Sequence, residues 1–225
     1  MNRAPAERIS VVVPVLDEAP RIVACLEALQ GLRAAGHEVI VVDGGSRDAS
    51  AELAAPLADR VLRAPRGRAL QMNAGARAAR GAMLLFLHAD TRLPPEAARA
   101  VFARGDWGRF DVAIEGRHAL LPVIAWMMNL RSRLTGIATG DQAIFVRRAL
   151  FERLGGYAEI PLMEDVELSR RLRRVSPPAC LRLRAVTSGR RWEKRGVLRT
   201  IVLMWRLRLA YFLGADPRRL AERYR

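Results

Sequence analysis

Residues 83–96 read MLLFLHADTRLPPE, and the fold prediction depends on the transition inside this stretch. The apolar run at its start is typical of a strand buried on both faces of a sheet. The run stops at His88 and Asp90, whose side chains are costly to bury and useful at a surface. A buried strand that ends on such residues indicates that the chain emerges there into a cleft.

Two earlier stretches have the same form. ISVVVPV (9–15) is followed by Asp17 and Glu18, and EVIVVDGG (38–45) ends on Asp43 and two glycines. Helical patterns separate these runs, and the alternation predicts an α/β fold with a mostly parallel, Rossmann-like central sheet and helices on both faces. Ligands bind at the carboxyl ends of strands in such sheets, so we expect the polar endings to converge on one rim.

The pattern changes after residue 105. PLMEDVELSRRLRRV predicts an amphipathic helix with Leu162, Val166, Leu168 and Leu172 facing inward. An apolar helix is expected at about 120–134. The other expected elements are strands in RFDVAIEGRHALL, GDQAIFVRRALF and CLRLRAVTS, a basic loop in SGRRWEKRG, a long helix in GVLRTIVLMWRLRLAYFLGA and a short basic tail.

Composition narrows the classes of function. The formal net charge is +15, and Lys194 is the only lysine. This arginine bias fits either the coding habit of a GC-rich genome or an anionic partner, such as nucleotide phosphates, an anionic membrane surface or nucleic acid. GxGxxG and GxxxxGK[ST] motifs are absent, which excludes the usual dinucleotide and P-loop classes.

The cellular location is constrained by the cysteines and by the apolar segments. Cys25 and Cys180 lack CxxC spacing, so a disulfide framework and a zinc site are both disfavoured and a cytoplasmic protein is expected. The first ten residues predict no signal peptide. The longest uncharged apolar segment, residues 119–130, is shorter than the ~20 residues that span a bilayer, so no membrane crossing is expected.

The polar residues leave alternatives open. Asp90 suits a divalent cation that neutralises a diphosphate, or it caps the turn before Pro94. Asp43 suits a base or ribose, or it belongs to a tight turn. Glu164 and Asp165 offer a general base beside the crevice, or they cap a helix N-terminus. The arginines of SGRRWEKRG suit a diphosphate and Trp192 could stack on a ligand, or the segment is a solvated loop.

The order VVVPVLDE, VVDGGSRD, RGRALQMNAGARAARGAMLLFLHAD, GDQAIF, LMEDVELSRRL and SGRRW resembles the inverting family-2 glycosyltransferases, over residues 8 to 195. The chain is most similar to a bacterial subgroup labelled arsenosugar-biosynthesis-associated transferases. The resemblance implies the GT-A fold, extended at the C-terminus by helices. It implies a single domain over residues 1–225, with a nucleotide-sugar-binding half at about 8–105, an acceptor and catalytic half at about 106–195 and C-terminal helices at about 196–225.

The resemblance also implies a role for each residue at a matching position. Asp165 would be the catalytic base, and Asp90 would be the last acid of the DxD motif, which binds Mg²⁺ or Mn²⁺ and the diphosphate. His88 stands at the first DxD acid, so Asp90 would hold the metal alone or together with His88. Gly44 replaces the second acid of the common DDGS. The nucleotide-sugar side would comprise Pro14, Glu18, Asp43, Arg68, Asp90, Arg191 and Trp192, and the acceptor side Gly140, Asp141, Gln142 and Glu164.

The implied reaction is a hexosyltransferase-type single displacement. Asp165 removes a proton from an acceptor hydroxyl, whose oxygen attacks the anomeric carbon of a nucleotide-diphosphate sugar and inverts its configuration. The acceptor is a small molecule or is lipid-linked. Two other classes of protein fit parts of the sequence: a non-enzymatic binder of nucleic acid or of a membrane surface, and a nucleotidyltransferase. The arginines are too dispersed for a nucleic-acid motif, and the N-terminal region lacks the lysine-bearing activation loop of a nucleotidyltransferase.

The C-terminal helix has its own alternatives. LRTIVLMWRLRLAYFL mixes Trp205, Tyr211 and Phe212 with arginines, as an interfacial helix does. The same pattern fits a helix that packs on its own domain or on a second subunit of a homodimer. Peripheral contact with the inner face of the membrane is therefore one of three expectations for this segment.

Overall fold

The computed structural model describes residues 8–224, which include an eight-stranded sheet. The signal-peptide expectation concerns a segment that lies mostly outside the described residues. The strands are β1 (Ile9–Val15), β2 (Glu38–Asp43), β3 (Arg60–Arg63), β4 (Met83–Phe86), β5 (Thr91–Arg92), β6 (Trp107–Glu115), β7 (Phe145–Arg147) and β8 (Ala179–Ser188).

Eleven α-helices surround this sheet within the described part of the chain. They are α1 (Ala19–Glu27), α2 (Gln30–Ala34), α3 (Ser50–Ala54), α4 (Arg68–Ala78), α5 (Ala97–Phe102), α6 (Leu121–Thr135), α7 (Arg148–Arg153), α8 (Glu164–Val175), α9 (Arg190–Arg195), α10 (Val197–Phe212) and α11 (Pro217–Tyr224). Two 3-10 turns, Ala55–Leu57 and Gly140–Gln142, complete the elements.

The strand order is β3-β2-β1-β4-β7-β6-β8-β5. The first four strands pair in parallel, β7 is antiparallel to both of its neighbours, and β6 pairs in parallel with β8. The short β5 closes the edge in antiparallel pairing with β8. The prediction of a mostly parallel sheet with helices on both faces and a C-terminal helical extension is confirmed.

Successive residues of β1 pack on opposite sides of the sheet. Val11 and Val13 belong to one core cluster with Ile22 of α1, whereas Val12 belongs to a second cluster with Met72 of α4. All five of these side chains are buried. Helices therefore cover both faces of the central strands, and polar side chains are left to the strand ends.

Four elements differ in detail from the prediction. The strand at 83–90 ends at Phe86, because the chain turns at the next residues and Thr91 donates a backbone hydrogen bond to the carbonyl of His88. GDQAIF begins with a 3-10 turn, held by a capping box of Thr139 and Gln142, so its strand starts only at Phe145. The segment predicted as a basic loop contains the helix α9, and the basic tail contains α11.

The helix α8 also divides its apolar face differently from the prediction. Leu168 and Leu172 lie in the core against the sheet, but Leu162 and Val166 pack against α10 and α11 instead. The helix begins at Glu164 because Met163 adopts a left-handed backbone conformation, with φ of 69°. The carboxyl groups at the start of α8 are therefore held between the sheet and the C-terminal helices.

The helices α6 and α10 expose many apolar side chains. Trp126 of α6 is 63% exposed, and on α10 Trp205 is 63% and Phe212 78% exposed. No helix among residues 8–224 is both long enough and apolar enough to cross a membrane.

Gly75 of α4 tests how closely this helix approaches the sheet. A Cβ at this position would overlap Val12 Cγ1 and would lie 3.0 Å from Val42 Cγ2, both on the sheet face beneath. We expect Gly75→Ala to lower the free energy of unfolding by about 1–3 kcal/mol through overpacking, measured by urea denaturation.

Gly31→Ala is the matched control. Nothing lies within 4 Å of a Cβ at this position in α2, so the change is expected to be neutral or to stabilise by about 0.5–1 kcal/mol. Equal stability of the two variants would contradict the close packing of α4 on the sheet.

Candidate functional site

A cavity of about 860 Å³ lies at the carboxyl ends of β1 and β4, and we call it the strand-end cavity. Its walls also come from α6, from the 3-10 turn Gly140–Gln142 and from the starts of α8 and α9, with α10 on the far side. The predicted site residues that line it are Pro14, Glu18, Arg68, His88, Asp90, Gly140, Asp141, Glu164, Asp165, Arg191 and Trp192. Asp43 and Gln142 do not line it.

Asp43 holds the turn that follows β2. Its carboxylate accepts hydrogen bonds from the backbone N–H of Gly45, at 3.1 Å, and from the backbone and hydroxyl of Ser46. The side chain of Gln71 donates to the carbonyls of Val15 and Val42, at 2.8 Å each, and so joins this turn to the end of β1. Asp43 therefore shapes the rim of the cavity from beneath.

Arg190 joins the ends of two strands. Its guanidinium donates to both carboxylate oxygens of Glu18, after β1, and lies 3.3 Å from the Asp90 carboxylate, after β4. The hydrogen bond to Glu18 raises the pKa of Arg190 above its ordinary value. The sequence interpretation selected its neighbours and missed Arg190 itself, although the paired arginines of SGRRW were the available signal.

Arg191 and Trp192 line the cavity from α9, and both are anchored by the C-terminal half of the chain. The Arg191 guanidinium lies 3.6 Å above the Tyr224 ring and donates to the Tyr224 carbonyl at 3.2 Å. Burial lowers the pKa of Arg191 below its ordinary value. Trp192 packs against a cluster that contains Ile124 and Val197. The helices α9, α10 and α11 are thus part of the site's framework.

The 3-10 turn brings the two sides of the cavity together at Gly140. Its backbone N–H donates to Asp165 Oδ2 at 2.9 Å, and a Cβ on Gly140 would lie 2.6 Å from the His88 ring at Cε1. The other Asp165 oxygen accepts from the Val166 N–H at 2.7 Å. Glycine is required here because His88 fills the space that a side chain would need.

Asp141 faces the same imidazole. His88 Nδ1 lies 3.3 Å from Asp141 Oδ1. Burial alone would raise the pKa of Asp141, but the hydrogen bond to His88 and the charges of Arg68 and Arg191 outweigh it and hold this pKa below its usual value. His88 is therefore engaged with the 3-10 turn Gly140–Gln142.

Glu164 and Arg68 form an unequal ion pair, with 3.4 Å between Arg68 Nη1 and Glu164 Oε1. The Glu164 side chain is 3% exposed and that of Arg68 is 38% exposed. Burial raises the pKa of the Glu164 carboxyl despite the arginine, while the charge of Glu164 raises the pKa of Arg68. The Glu164 carboxyl loses more contact with water than the Arg68 guanidinium does, because Arg68 still reaches solvent.

Gln142 does not line the cavity but holds the 3-10 turn in place. Its side chain is fully buried, takes part in the capping box with Thr139 and donates to Asn129 Oδ1 at 3.3 Å. Asn129 in turn bonds both backbone groups of Val112 in β6. Gln142 thus fastens the 3-10 turn to α6 and the sheet, and positions Gly140 and Asp141 above it.

The carboxylate of Asp90 is the candidate ligand for a metal ion in this cavity. Within residues 8–224, no group of three or more His, Cys, Asp or Glu side chains is arranged to hold a metal. Mg²⁺ and Mn²⁺ with phosphate-bearing substrates commonly use one or two carboxylates, with phosphate oxygens and water completing the shell. Asp90 fits that arrangement, and Arg190 is the cation that its carboxylate contacts in this structure.

The fold is similar to that of solved glycosyltransferases. The mannosyltransferase PcManGT from Pyrobaculum calidifontis, solved with GDP-Man and Mn²⁺, has a TM-score of 0.65 and 22% identity, over 98% of this chain and 71% of that chain. S. aureus TarS 1-349 in complex with UDP has a TM-score of 0.64 and 19% identity, over 80% of this chain and 60% of that chain. The fold is therefore GT-A-like, as predicted.

The family assignment rests on the sequence. The model of glycosyl transferase family 2 matches residues 10–149, and the chain belongs to this family. The undecaprenyl-phosphate 4-deoxy-4-formamido-L-arabinose transferase of Pseudomonas fluorescens (strain Pf0-1) is 31% identical over 164 residues, which are 65% of this chain and 48% of that protein. A PGL/p-HBAD biosynthesis glycosyltransferase of Mycobacterium bovis (strain BCG / Pasteur 1173P2) is 31% identical over 163 residues, 68% of this chain and 64% of that protein. The chain spans about half the length of the Pseudomonas relative.

Cys25 provides a test of how tightly the Asp90 turn is held. Its buried Sγ lies 3.9 Å from the His88 carbonyl and 3.8 Å from the Thr91 carbonyl, on either side of Asp90, and burial raises its pKa to about 12. At pH 8 such a thiol is ~0.01% thiolate, the reactive form. We expect a thiol reagent such as DTNB to leave Cys25 unmodified in the folded protein and to modify it after denaturation. Rapid modification of Cys25 in the folded Cys180→Ala variant would contradict this placement.

Proposed function

We propose that this protein transfers a sugar from a nucleotide-diphosphate donor to a hydroxyl acceptor, with inversion at the anomeric carbon. The observation that carries the proposal is the presence of Asp90, from a strand end, and Asp165, from a helix start, in the same cavity. Residues 8–105 would supply the donor half, residues 106–195 the acceptor half, and the C-terminal helices the remaining wall, all as one domain.

The donor side would lie at the ends of β1 and β4. Pro14 and Glu18 line the cavity there, and Arg190 holds Glu18 beside Asp90. Asp90 would bind Mg²⁺ or Mn²⁺, with His88 as a second ligand if it leaves Asp141, and the bound ion would neutralise charge on the departing diphosphate. Arg190, Arg191 and Arg68 would add fixed positive charge. Asp43 would reach a nucleoside only if its turn opens.

The acceptor side would lie at the start of α8. Two backbone N–H groups orient the Asp165 carboxylate, so its remaining lone pairs are available to take a proton from an incoming hydroxyl. Glu164, Gly140 and Asp141 line the adjoining wall, and Gln142 supports it from beneath. Removal of the proton as the oxygen attacks, opposite the leaving diphosphate, would invert the configuration in one step.

Finer assignments belong to the same proposal. The motifs GRALQMNAGA, FLHADT and GDQ support the bacterial subgroup labelled arsenosugar-biosynthesis-associated. The name of the Pseudomonas relative favours a lipid-linked acceptor over a small molecule, and so a cytoplasmic protein in peripheral contact with the inner face of the membrane. The neighbours bind UDP or GDP-Man, so UDP and GDP sugars are the donors to test first.

The Asp165→Asn variant tests the general base. The amide keeps the shape and the hydrogen bond from Gly140 but cannot take the proton, so we expect normal folding and a loss of transfer of at least about 10²-fold. The transfer rate is measured as product formation from nucleotide sugar and acceptor. Folding is measured by thermal unfolding of the same variant. Glu159→Gln, an exposed acid outside the cavity, is the control. Turnover of Asp165→Asn near that of the wild type would remove Asp165 from this role.

The Asp90→Ala variant tests metal-dependent donor binding. We expect at least about tenfold weaker binding of UDP or GDP in the presence of Mn²⁺, but no weakening without Mn²⁺, since a carboxylate that repels the diphosphate is removed. Isothermal titration calorimetry of UDP or GDP, with and without Mn²⁺, measures the affinity of the variant and of the wild type. Asp106→Ala is the matched control, because Asp106 is 53% exposed and pairs with Arg147 away from the cavity. Identical Mn²⁺-dependent titrations for wild type and Asp90→Ala would refute the assignment.

A further inference from the structure

Two arginines of the strand-end cavity have donor atoms without partners. Arg131 of α6 and Arg208 of α10 both line the cavity. The Nε and Nη2 atoms of Arg131 and the Nε atom of Arg208 are buried, and no residue between 8 and 224 accepts a hydrogen bond from them. Buried donors are nearly always paired in folded proteins, so these atoms indicate an acceptor that comes from outside the described chain.

The same two side chains lack sufficient negative charge around them. Burial, together with the neighbouring charge of Arg208, lowers the pKa of Arg131 to about 9. Burial also lowers the pKa of Arg208. The charge of Asp165 opposes both effects, and Asp141 adds a second opposing negative charge at Arg208. An additional anion between them would satisfy the donors and favour the charged state of both.

Three other arginines around the cavity are already engaged. Arg190 pairs with Glu18 and Asp90, Arg68 pairs with Glu164, and Arg191 stacks on Tyr224. The pair Arg131 and Arg208 belongs to the Asp165 side of the cavity, whereas Arg190 belongs to the Asp90 side. The anion that Arg131 and Arg208 would bind is therefore separate from the donor diphosphate.

An apolar channel leads to the two arginines. The residues of α6 that line the cavity are Ile124, Met127, Met128 and Arg131, and those of α10 include Ile201, Met204, Trp205 and Arg208. Both sets have the spacing i, i+3, i+4, i+7, with an arginine in the last position. Such a set lies on one helix face and extends ~10 Å along the axis.

The two helices meet near their starts. Ile124 packs in a cluster with Val197 and Ile201, close to the start of each helix, and the charges of Arg131 and Arg208 act on each other further along. The apolar faces continue onto the outer surface, where Leu130 is 39% and Val202 56% exposed. Methionines on both walls suit a flexible apolar chain.

We propose that Arg131 and Arg208 bind the phosphate group of an amphiphilic acceptor whose apolar chain lies between α6 and α10. This inference rests on the proposed function, because it names the class of acceptor for the same site. The charge requires an anion, the depth of the arginines requires a small head group, and the walls require an apolar chain. A phosphate monoester of an aliphatic alcohol has all three properties.

Decyl phosphate, used below its micelle concentration, is the probe for the experiment. Inorganic phosphate supplies the anion alone, and decyl glucoside supplies the chain with an uncharged head. Binding is measured by isothermal titration calorimetry. We expect decyl phosphate to bind at least about tenfold more tightly than either inorganic phosphate or the glucoside, because only decyl phosphate fills both the arginine pair and the channel.

Variants assign the binding to these residues. Arg131→Gln and Arg208→Gln are each expected to weaken decyl phosphate binding by at least about tenfold, since a charge-assisted contact is lost. Arg131→Lys should recover part of the affinity. Arg206→Gln, an exposed arginine on the outer face of the same helix, should stay within about twofold of wild type. Melting temperatures report folding, and loss of desolvated arginines should not lower them.

The outcomes separate this inference from the proposed function. Unchanged decyl phosphate binding in folded Arg131→Gln and Arg208→Gln overturns the inference, as does equally tight binding of inorganic phosphate or of decyl glucoside. Mn²⁺-dependent nucleotide binding should be the same in these variants as in wild type, and its loss would reassign the arginines to the donor side. If decyl phosphate binds through the two arginines but no nucleotide binds with Mn²⁺, the phosphate site stands and the proposed transferase function fails.

Discussion

The covering of both faces of β1, β2 and β4 is the constraint on which the rest of the structure depends. Their apolar side chains pack alternately into two core clusters, so the middle of each strand is apolar. Charged groups lie at the strand ends, and those that could meet a ligand lie at the carboxyl ends, where the chain leaves the sheet. Glu18, His88 and Asp90 come together there because the strands that carry them are neighbours in the sheet.

The C-terminal third closes this edge into a cavity. Arg190, just after β8, bonds to Glu18 and approaches Asp90, so it links the last part of the chain to the strands of the first part. Tyr224 anchors Arg191 beside it. The start of α8 is held between the sheet and α10 and α11, which places Asp165 opposite the strand ends. The strand ends and the start of α8 therefore line one shared cavity.

Much of this arrangement could be predicted from the sequence. Buried strands that end on acids predicted both the sheet and its functional edge, because strand ends in parallel sheets have a general role. Asp90 and Asp165 were selected as site residues because of the family resemblance. Their residue type and spacing alone did not distinguish a catalytic acid from a helix or turn cap. Arg131 and Arg208 could not be found in this way. Each sits in an ordinary amphipathic helix, and only the packing of α6 beside α10 brings the two guanidinium groups together.

The sequence interpretation selected Asp43 and Gln142 as site residues, but neither lines the cavity. Both stand at motif positions. The carboxylate of Asp43, however, accepts hydrogen bonds within its own turn, and the side chain of Gln142 takes part in a capping box. A pattern records which residue types are present but not which partners they already have. The hydrogen bonds of a buried turn become visible only when the backbone is placed.

A crystal structure with Mn²⁺ and UDP or GDP is the most direct test of the central claim that Asp90 and Asp165 face one donor site. The account predicts the ion within about 2.2 Å of an Asp90 carboxylate oxygen and bound to the diphosphate, inside the strand-end cavity and on the side of Asp165. A nucleotide bound along the outer face of α10, or an ion held without Asp90, would contradict it.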